Sequence, residues 1–335
     1  MNLVKRFNQE ITMKASMKKL ALLLPVCLFS FSVMAADLSQ YSDGESELTQ
    51  NYIKATMNSY FSGAKKNKSI PFKAVSGWVQ EKWQQNTLPM EKLNRNLHKN
   101  GRVILQLHGG GYVLGLNDNY RKFAQKQADS IKADTVYMFD YRHAPQHTYP
   151  AALEDAVIAY KKVLADGNNP ENIILMGDSA GGNLALVLGV RLRELNLPQP
   201  RAMILMSPWT AMNDVPSHLN NQTKDAVLGK NTPLFPEMYK LSYAKGYNSA
   251  DPKLSPLYAD LSGLPPMLIQ TGSYELLYSD SVLLNKAADK AGVKNKLSVY
   301  NGMPHDFMLV LPELPQTIAA FEEMGAFADE IFGSN

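Results

Sequence analysis

A serine flanked by glycines is the first residue of this chain that could do covalent chemistry. In the stretch NIILMGDSAGGNLALVLG, Ser179 lies between two apolar runs, with Gly177 and Gly181 on either side. A Gly-x-Ser-x-Gly turn between a strand and a helix presents the serine hydroxyl on a strained backbone, where only small neighbours avoid collision. The alternative is a polar residue that only caps the following helix. The apolar runs on both sides favour a nucleophile.

A glycine-rich loop upstream could supply donors for the intermediate that such a nucleophile forms. His108, Gly109, Gly110 and Gly111 directly follow the apolar run VILQL. Consecutive glycines let the backbone approach a substrate closely and aim N–H groups at an oxyanion. The alternative is an ordinary flexible loop. We predict that this loop serves the serine.

The serine needs a base, and the order of residues along the chain narrows the choice. In folds that present a serine in this way, the order is serine, acid, histidine. Of the six histidines, only His218 and His305 follow Ser179. His305 comes just after the apolar run LSVY, at the carboxyl end of a predicted strand, where α/β sheets place functional groups. His218 lies in a long connection, so we predict His305 as the base.

The acid is expected in the loop after the preceding strand, which is the run MLIQ. Glu275 lies within that loop, whereas Asp280 is placed where it would cap the next helix. We predict Glu275 as the acid, which would orient the imidazole and stabilise its charged form. Asp280 is the alternative.

Short apolar strands alternate with helical patterns along the chain and should position these residues. Repeated alternation predicts an α/β fold in which a mostly parallel central sheet is flanked by helices. The predicted strands are 103–107, 135–140, 173–176, 202–206, 267–270 and 296–300. The predicted helices are 119–132, 151–165, 180–194, 280–291 and 316–332. An antiparallel edge hairpin is expected over 78–88.

Two regions interrupt this alternation. The segment from 37 to about 75 begins with a helical pattern, and 210–258 is longer than one crossover connection needs. Long connections inside a compact domain are usually functional. We expect the two segments to form a helical cap over the active site. Four large apolar residues of the second segment recur at near-helical spacing, which is typical of core packing and also compatible with an acyl pocket. They are Phe235, Met238, Tyr239 and Tyr243.

The beginning of the chain has the pattern of an export signal. Lys18 and Lys19 precede a charge-free apolar run and then small residues suited to cleavage after Ala35 or Ala36. The apolar run is too short for an ordinary transmembrane helix, and a retained N-terminal anchor is the alternative. We predict an exported protein, periplasmic or secreted, with no stable membrane span after cleavage.

The predicted division is therefore a signal peptide at 1–35 and a catalytic α/β domain at 36–335. Met1, Met13 and Met17 are all possible starts.

Removal of this leader changes what the composition implies. The leader carries five Lys/Arg and one Glu, a net of +4, so the overall charge of +3 leaves −1 for the mature chain. The basic balance therefore does not argue for nucleic-acid binding. The single cysteine, Cys27, also leaves with the leader. The mature chain would then have no disulfide, no thiolate nucleophile and no cysteine metal ligand.

Five motifs in fixed order resemble the hormone-sensitive-lipase-like family of α/β-hydrolase carboxylesterases, which has an HGGG loop. They are VILQLHGGGYVLG, DYRHAPQHTYPAALEDAVIAY, NIILMGDSAGGNLAL, DPKLSPLYADLSGLPPMLIQTGSYELLYSDS and YNGMPHDFMLV. The resemblance implies the α/β-hydrolase fold and a triad of Ser179, Glu275 and His305. Many members of the family have aspartate at the acid position.

The resemblance also implies an oxyanion hole built from the backbone N–H groups of Gly110, Gly111 and Ala180. His108 and Gly109 would belong to the supporting loop.

These patterns together predict a serine carboxylesterase that hydrolyses short-to-medium acyl esters through an acyl-enzyme. Its partner would be a small-molecule ester, and it would need no cofactor and no metal. One alternative is an amidase or peptidase with the same triad. Another is a ligand-binding protein of the same fold without catalysis, although such a protein typically loses the histidine that is present here.

Overall fold

The computed structural model describes residues 41–63 and 71–333. The predicted signal peptide at 1–35, its cleavage point and the alternative starts lie outside the described residues. Among the described helices, none is both long enough and apolar enough to cross a membrane.

The core of the described chain is one eight-stranded sheet with the strand order β1-β2-β4-β3-β5-β6-β7-β8. The strands are β1 (Val79–Gln85), β2 (Leu88–Asn94), β3 (Val103–Leu107), β4 (Thr135–Phe139), β5 (Ile173–Asp178), β6 (Ala202–Met206), β7 (Met267–Gly272) and β8 (Asn295–Tyr300). β1 and β2 are antiparallel to each other, and β2 is antiparallel to β4. All further neighbours are parallel. The prediction of a mostly parallel sheet is confirmed.

The central strands are mostly apolar because both faces of the sheet are covered by helices. Every residue of β3, β5, β6 and β7 is buried. In register, Leu105 pairs with Leu175, and Leu175 pairs with Met203. The carboxyl ends of β3, β5, β6, β7 and β8 therefore share one edge of the sheet, and the predicted site residues follow several of these ends.

The helices are α1 (Glu47–Gly63), α2 (Asp118–Ser130), α3 (Ala151–Ala165), α4 (Ala180–Glu194), α5 (Pro216–Asn220), α6 (Phe235–Lys240), α7 (Tyr278–Lys290), α8 (Phe307–Val310) and α9 (Pro315–Phe332). Local signals set several of their ends. The Asn117 side chain caps α2 by accepting from the backbone N–H groups of Asn119 and Tyr120. α9 begins with Pro315, which suits a first helical turn.

The edge hairpin exists but extends further than the predicted 78–88. Its turn is at Asn86, which has a φ of 57°, and the second strand continues to Asn94. The extension is held by β4, since Met90 pairs with Phe139 across the sheet. Such pairing with a sequence-distant strand leaves no local signal in the sequence.

Of the two segments expected to form a cap, the first is helical over the whole of its predicted pattern, whereas the second contains little helix. α1 ends at Gly63, and the 210–258 segment contains only the short helices α5 and α6 among its α-helices. The Gln50 amide of α1 donates to the carbonyl oxygen of Gly302, close in sequence to His305. The joint cap stays a prediction, because residues 37–40 and 64–70 lie outside the described chain.

Candidate active site

The turn at Ser179 joins β5 directly to α4 and has a strained backbone. Ser179 has φ 52° and ψ −120°, a region that L-residues rarely adopt. A Cβ on Gly177 would collide with the carbonyl of Gly181, and one on Gly181 would collide with the carbonyl of Leu107. The two glycines are therefore required by close backbone approach, and the turn presents Ser179 at the carboxyl edge of the sheet.

The three residues of the predicted triad come together at this turn. Nε2 of His305 lies 3.0 Å from Oγ of Ser179, and Nδ1 lies 3.4 Å from Oε2 of Glu275. The other oxygen of Glu275 accepts from Oγ of Ser207 at 2.7 Å and from the backbone N–H of Gly272. All three triad residues are buried. The geometry suits proton transfer from the serine hydroxyl to the imidazole.

Burial and neighbouring charges have opposite effects on the pKa values of Glu275 and His305. Burial raises the pKa of Glu275 to about 7, although hydrogen bonds and the His305 charge act to lower it. Burial lowers the pKa of His305, but the carboxylates of Asp306 and Glu275 outweigh it and raise the pKa well above its usual value. The imidazolium form of His305 is thus strongly stabilised by neighbouring carboxylates.

The glycine-rich loop lies beside the turn and has a left-handed backbone. Gly110 and Gly111 have φ values of 101° and 63°, which glycine adopts readily. The N–H of Gly109 donates to Oδ1 of Asp178 at 3.2 Å and fixes the loop to the end of β5. Ala180 is the first residue of α4, so its N–H has no acceptor within the helix. The oxyanion-hole role of these N–H groups stays a prediction.

Comparisons with known proteins agree with this geometry. A family described as having the alpha/beta hydrolase fold matches residues 104–309. The chain belongs to the hormone-sensitive-lipase-like family of α/β hydrolases.

An acetyl-hydrolase of Streptomyces hygroscopicus is 37% identical over 70% of this chain and 77% of its own length. An esterase of Acinetobacter venetianus is 33% identical over 69% of this chain and 75% of its own. The crystal structure of an esterase from the bacterial hormone-sensitive lipase family superposes with a TM-score of 0.76 at 32% identity, covering 86% of this chain and 99% of that chain. The chain is a carboxylic ester hydrolase.

The alternative acid of this hydrolase, Asp280, does not reach the base. Its Oδ1 accepts from the N–H groups of Thr210 and Ala211 at 2.8 Å each, and its Oδ2 lies 2.8 Å from Nε2 of His218. The expectation that Asp280 caps its own helix is wrong, because Leu277 occupies the N-cap position of α7 without a side-chain hydrogen bond, and Asp280 lies inside the first turn. Asp280 and His218 instead fix the inserted 210–258 segment to α7.

His108 is a buried support of the glycine loop in this hydrolase. Its Nδ1 lies 2.8 Å from the carbonyl oxygen of Gly109. The ring stacks on Tyr141 at 4.1 Å, and the Tyr141 hydroxyl donates to the His108 carbonyl oxygen at 2.9 Å. Burial lowers the pKa of His108 to about 4. The side chain is therefore neutral at physiological pH and packs as an aromatic ring.

Sequence reasoning missed Asn183, one turn into α4 of the hydrolase. Its Oδ1 accepts from the Tyr112 hydroxyl at 2.7 Å, and its amide donates to the carbonyl oxygens of Trp209 and Leu254 at 2.7 and 2.9 Å. This side chain therefore links the glycine loop to the segment that follows β6. Asn183 is the one polar side chain among the first ten residues of α4, and this was the available signal.

Asp225 was also missed, and it connects the inserted segment to the triad. Its Oδ2 accepts from the N–H of Leu276 at 2.7 Å, and its Oδ1 accepts from the N–H of His305 at 3.3 Å. The same Oδ1 accepts from the N–H groups of Val227 and Leu228. One buried carboxylate thus holds the acid loop and the histidine loop together.

In the described residues, no three His, Cys, Asp or Glu side chains converge in a way that could hold a metal ion.

Proposed function

We propose that this hydrolase is a serine carboxylesterase that cleaves small-molecule esters of short-to-medium acyl chains through an acyl-enzyme. The observation that carries the proposal is the 3.0 Å contact between Oγ of Ser179 and Nε2 of His305. A positioned base within hydrogen-bond reach is what activates a serine hydroxyl. Glu275, on the opposite side of the imidazole, supplies the charge that stabilises the protonated base.

The reaction follows from these positions in two steps. Nε2 of His305 takes the Ser179 proton while Oγ forms a bond to the ester carbonyl carbon. The tetrahedral intermediate then collapses, the C–O bond to the alcohol breaks, and His305 gives its proton to the departing oxygen. In the second step, His305 takes a proton from water, which attacks the acyl-enzyme and releases the carboxylic acid.

The negatively charged oxygen of each tetrahedral intermediate needs hydrogen-bond donors to stabilise it. The N–H groups of Gly110, Gly111 and Ala180 supply them in our proposal. Support comes from the left-handed backbone of the glycine loop and from the free first N–H of α4. The N-terminus of a helix also carries partial positive charge. Each donor in such a site is worth roughly 100-fold to 1000-fold in kcat.

A cavity between the inserted 210–258 segment and the loop after β7 is our candidate for the acyl site. It has a volume of about 280 Å³, and its apolar lining includes Met212, Met238, Leu241 and Leu276. It is also lined by Trp209, whose backbone N–H donates to the Ser179 carbonyl oxygen at 3.0 Å. The relative from Streptomyces hygroscopicus is named an acetyl-hydrolase. We propose that this cavity receives the acyl chain and limits its length.

The test is turnover of p-nitrophenyl esters by purified mature protein. Ser179→Ala should lose nearly all turnover while it keeps the far-UV circular dichroism of the native protein. Ser59→Ala, which removes an exposed hydroxyl from α1, is the matched control and should remain active. Undiminished turnover by Ser179→Ala would overturn the mechanism.

Substrate class is tested separately with matched substrates. Acetyl and butyryl esters should be cleaved faster than long-chain triglyceride emulsions, and esters faster than the corresponding amides. Faster cleavage of the emulsions would exclude the acyl length that we propose. Faster cleavage of the amides would point to an amidase.

We also propose that the protein is exported. The support is the order of basic residues, apolar run and small residues before Asp37. Expression of the full chain followed by N-terminal sequencing of the periplasmic fraction should give a start at Ala36 or Asp37. An intact leader on cytoplasmic protein would contradict export.

A further inference from the structure

A second carboxylate lies against the base on the side that faces the nucleophile. Oδ2 of Asp306 lies 3.1 Å from Nε2 of His305. The same nitrogen lies 3.0 Å from Oγ of Ser179. Nε2 carries one proton at most, so the serine oxygen and the Asp306 carboxylate compete for it.

The Asp306 side chain is held in this position by the backbone. Asp306 has φ 49° and ψ 35°, the left-handed region that aspartate and asparagine tolerate better than most residues. Its N–H donates to Oγ of Ser207 at 3.2 Å, and that hydroxyl donates to Glu275. Its Oδ1 is buried and finds no hydrogen-bond partner among the described residues. His305 is thus the polar contact that the buried carboxylate makes through Oδ2.

The surroundings of this pair are rich in carboxylates. Glu275 faces Nδ1 of His305 from the loop after β7, and Asp225 accepts from the His305 backbone N–H. Asp178, at the end of β5, interacts electrostatically with both Asp306 and His305, and it accepts from the Tyr120 hydroxyl of α2. The imidazolium of His305 therefore lies between Glu275 at Nδ1 and Asp306 at Nε2.

We propose that Asp306 is a second anionic partner of His305 that retains the Nε2 proton under acidic conditions and so confines ester hydrolysis to neutral and alkaline conditions. This inference rests on the proposed esterase function, in which a neutral His305 must accept the Ser179 proton. A carboxylate 3.1 Å from Nε2 favours the charged imidazole. Asp306 is thus a positioning residue that determines the pH range in which Nε2 of His305 is unprotonated and can accept the Ser179 proton.

The experiment compares pH profiles of kcat/KM for a butyryl ester between the native protein and Asp306→Asn. Asparagine keeps the shape of the side chain and tolerates the left-handed backbone. Loss of the negative charge should move the acidic limb of the profile to lower pH by at least about one unit, a factor of about ten in the acidic range. The matched control is Asp260→Asn, which removes an equal charge from an exposed loop and should leave the limb unchanged.

A fall in kcat/KM by the same factor at every pH, with the limb unmoved, would overturn the inference and leave a merely structural role. Should Asp306→Asn fail to fold, Asp306→Gly tests the same charge, because glycine suits the φ of 49°. Proton NMR of the native protein is an independent readout. The His305 imidazolium resonance should persist up to near-neutral pH, and its loss below pH 6 would also overturn the inference.

Failure of the proposed function would look different from failure of this inference. A native protein that neither turns over esters nor reacts with a fluorophosphonate at any pH has no activated serine. A protein that reacts normally, with an acidic limb that is indifferent to Asp306, has the activated serine without the second partner.

Discussion

Asp280 and His218 form a buried pair, with 2.8 Å between Oδ2 and Nε2. His218 and His305 are the two candidate bases, Glu275 and Asp280 are the two candidate acids, and this pair separates them. Asp280 also binds the backbone at Thr210, so its charge is used to fix the inserted segment. This leaves His305 beside Ser179 and Glu275 on the far side of the His305 ring.

The first prediction separates these two acids. Glu275→Gln should lower kcat by about 10³-fold to 10⁴-fold, because the imidazole loses its orienting charge while the fold persists. Asp280→Asn should lose about 3 kcal/mol of stability, because the buried N–H groups of Thr210 and Ala211 lose their charged acceptor and His218 loses its carboxylate partner. It should keep the kcat of the folded fraction. Active-site titration combined with thermal unfolding measures both effects, and the opposite pattern would reassign the acid.

Asp225 gives a prediction about positioning. Asp225→Asn weakens the hydrogen bonds to the N–H groups of Leu276 and His305, so both triad loops can move. We expect kcat to fall about tenfold to 100-fold, since small misplacements of catalytic groups are costly. KM should change little, as Asp225 does not line the proposed acyl cavity. Steady-state kinetics checks this split. A rise in KM at constant kcat would point instead to substrate binding.

The close approach at Gly181 predicts a loss of stability. A Cβ in Gly181→Ala would collide with the carbonyl groups of Leu107 and His108. Because backbone has little room to give way, we expect a loss of about 3 kcal/mol or more. Gly246→Ala is the control: its φ is 88°, but nothing lies within 4 Å of the new Cβ. Strain alone should cost the control about 1 kcal/mol. Equal unfolding temperatures for the two variants would contradict this account.

The burial of His108 predicts how stability depends on pH. Its pKa falls from 6.5 in the unfolded chain to about 4 in the fold. The unfolded chain therefore binds more protons between these values, and stability is lost as pH falls from 6.5 toward 4. The full effect is about 3 kcal/mol. The free energy of unfolding, measured with urea at several pH values in this window, should change less steeply with pH for His108→Gln than for the native protein. Parallel slopes would show that His108 is not the group responsible.

Some of the fold could be predicted from the sequence because its signals are local. β3, β6, α3 and α4 have the predicted bounds, since continuous apolar runs and helical periodicity mark them. The second hairpin strand and the real extent of helix in the 210–258 segment depend on contacts with distant parts of the chain. The hairpin strand contains Pro89 and polar residues, and the near-helical spacing within 210–258 continues beyond Lys240, where α6 ends.

Within the site, too, local sequence signals predict some residues, whereas others depend on contacts with distant parts of the chain. Ser179 and His305 lie at strand ends, where chain order and topology predict their roles. Asp225 acts on the backbone N–H of His305, 80 positions away, and Asn183 acts on carbonyl oxygens of Trp209 and Leu254. Any residue type supplies the same backbone groups, so the sequence does not indicate which residues these side chains contact. The contact of Asp306 with Nε2 likewise depends on a left-handed φ that the sequence does not display.

The central claim is that Ser179, activated by His305, forms the covalent intermediate. The most direct test is titration with a fluorophosphonate, followed by intact-mass and peptide-mass measurement alongside turnover of p-nitrophenyl butyrate. The account predicts one adduct per chain, located on Ser179, and a loss of turnover in proportion to labelling. Full turnover by the labelled protein, or an adduct confined to another residue, would contradict it.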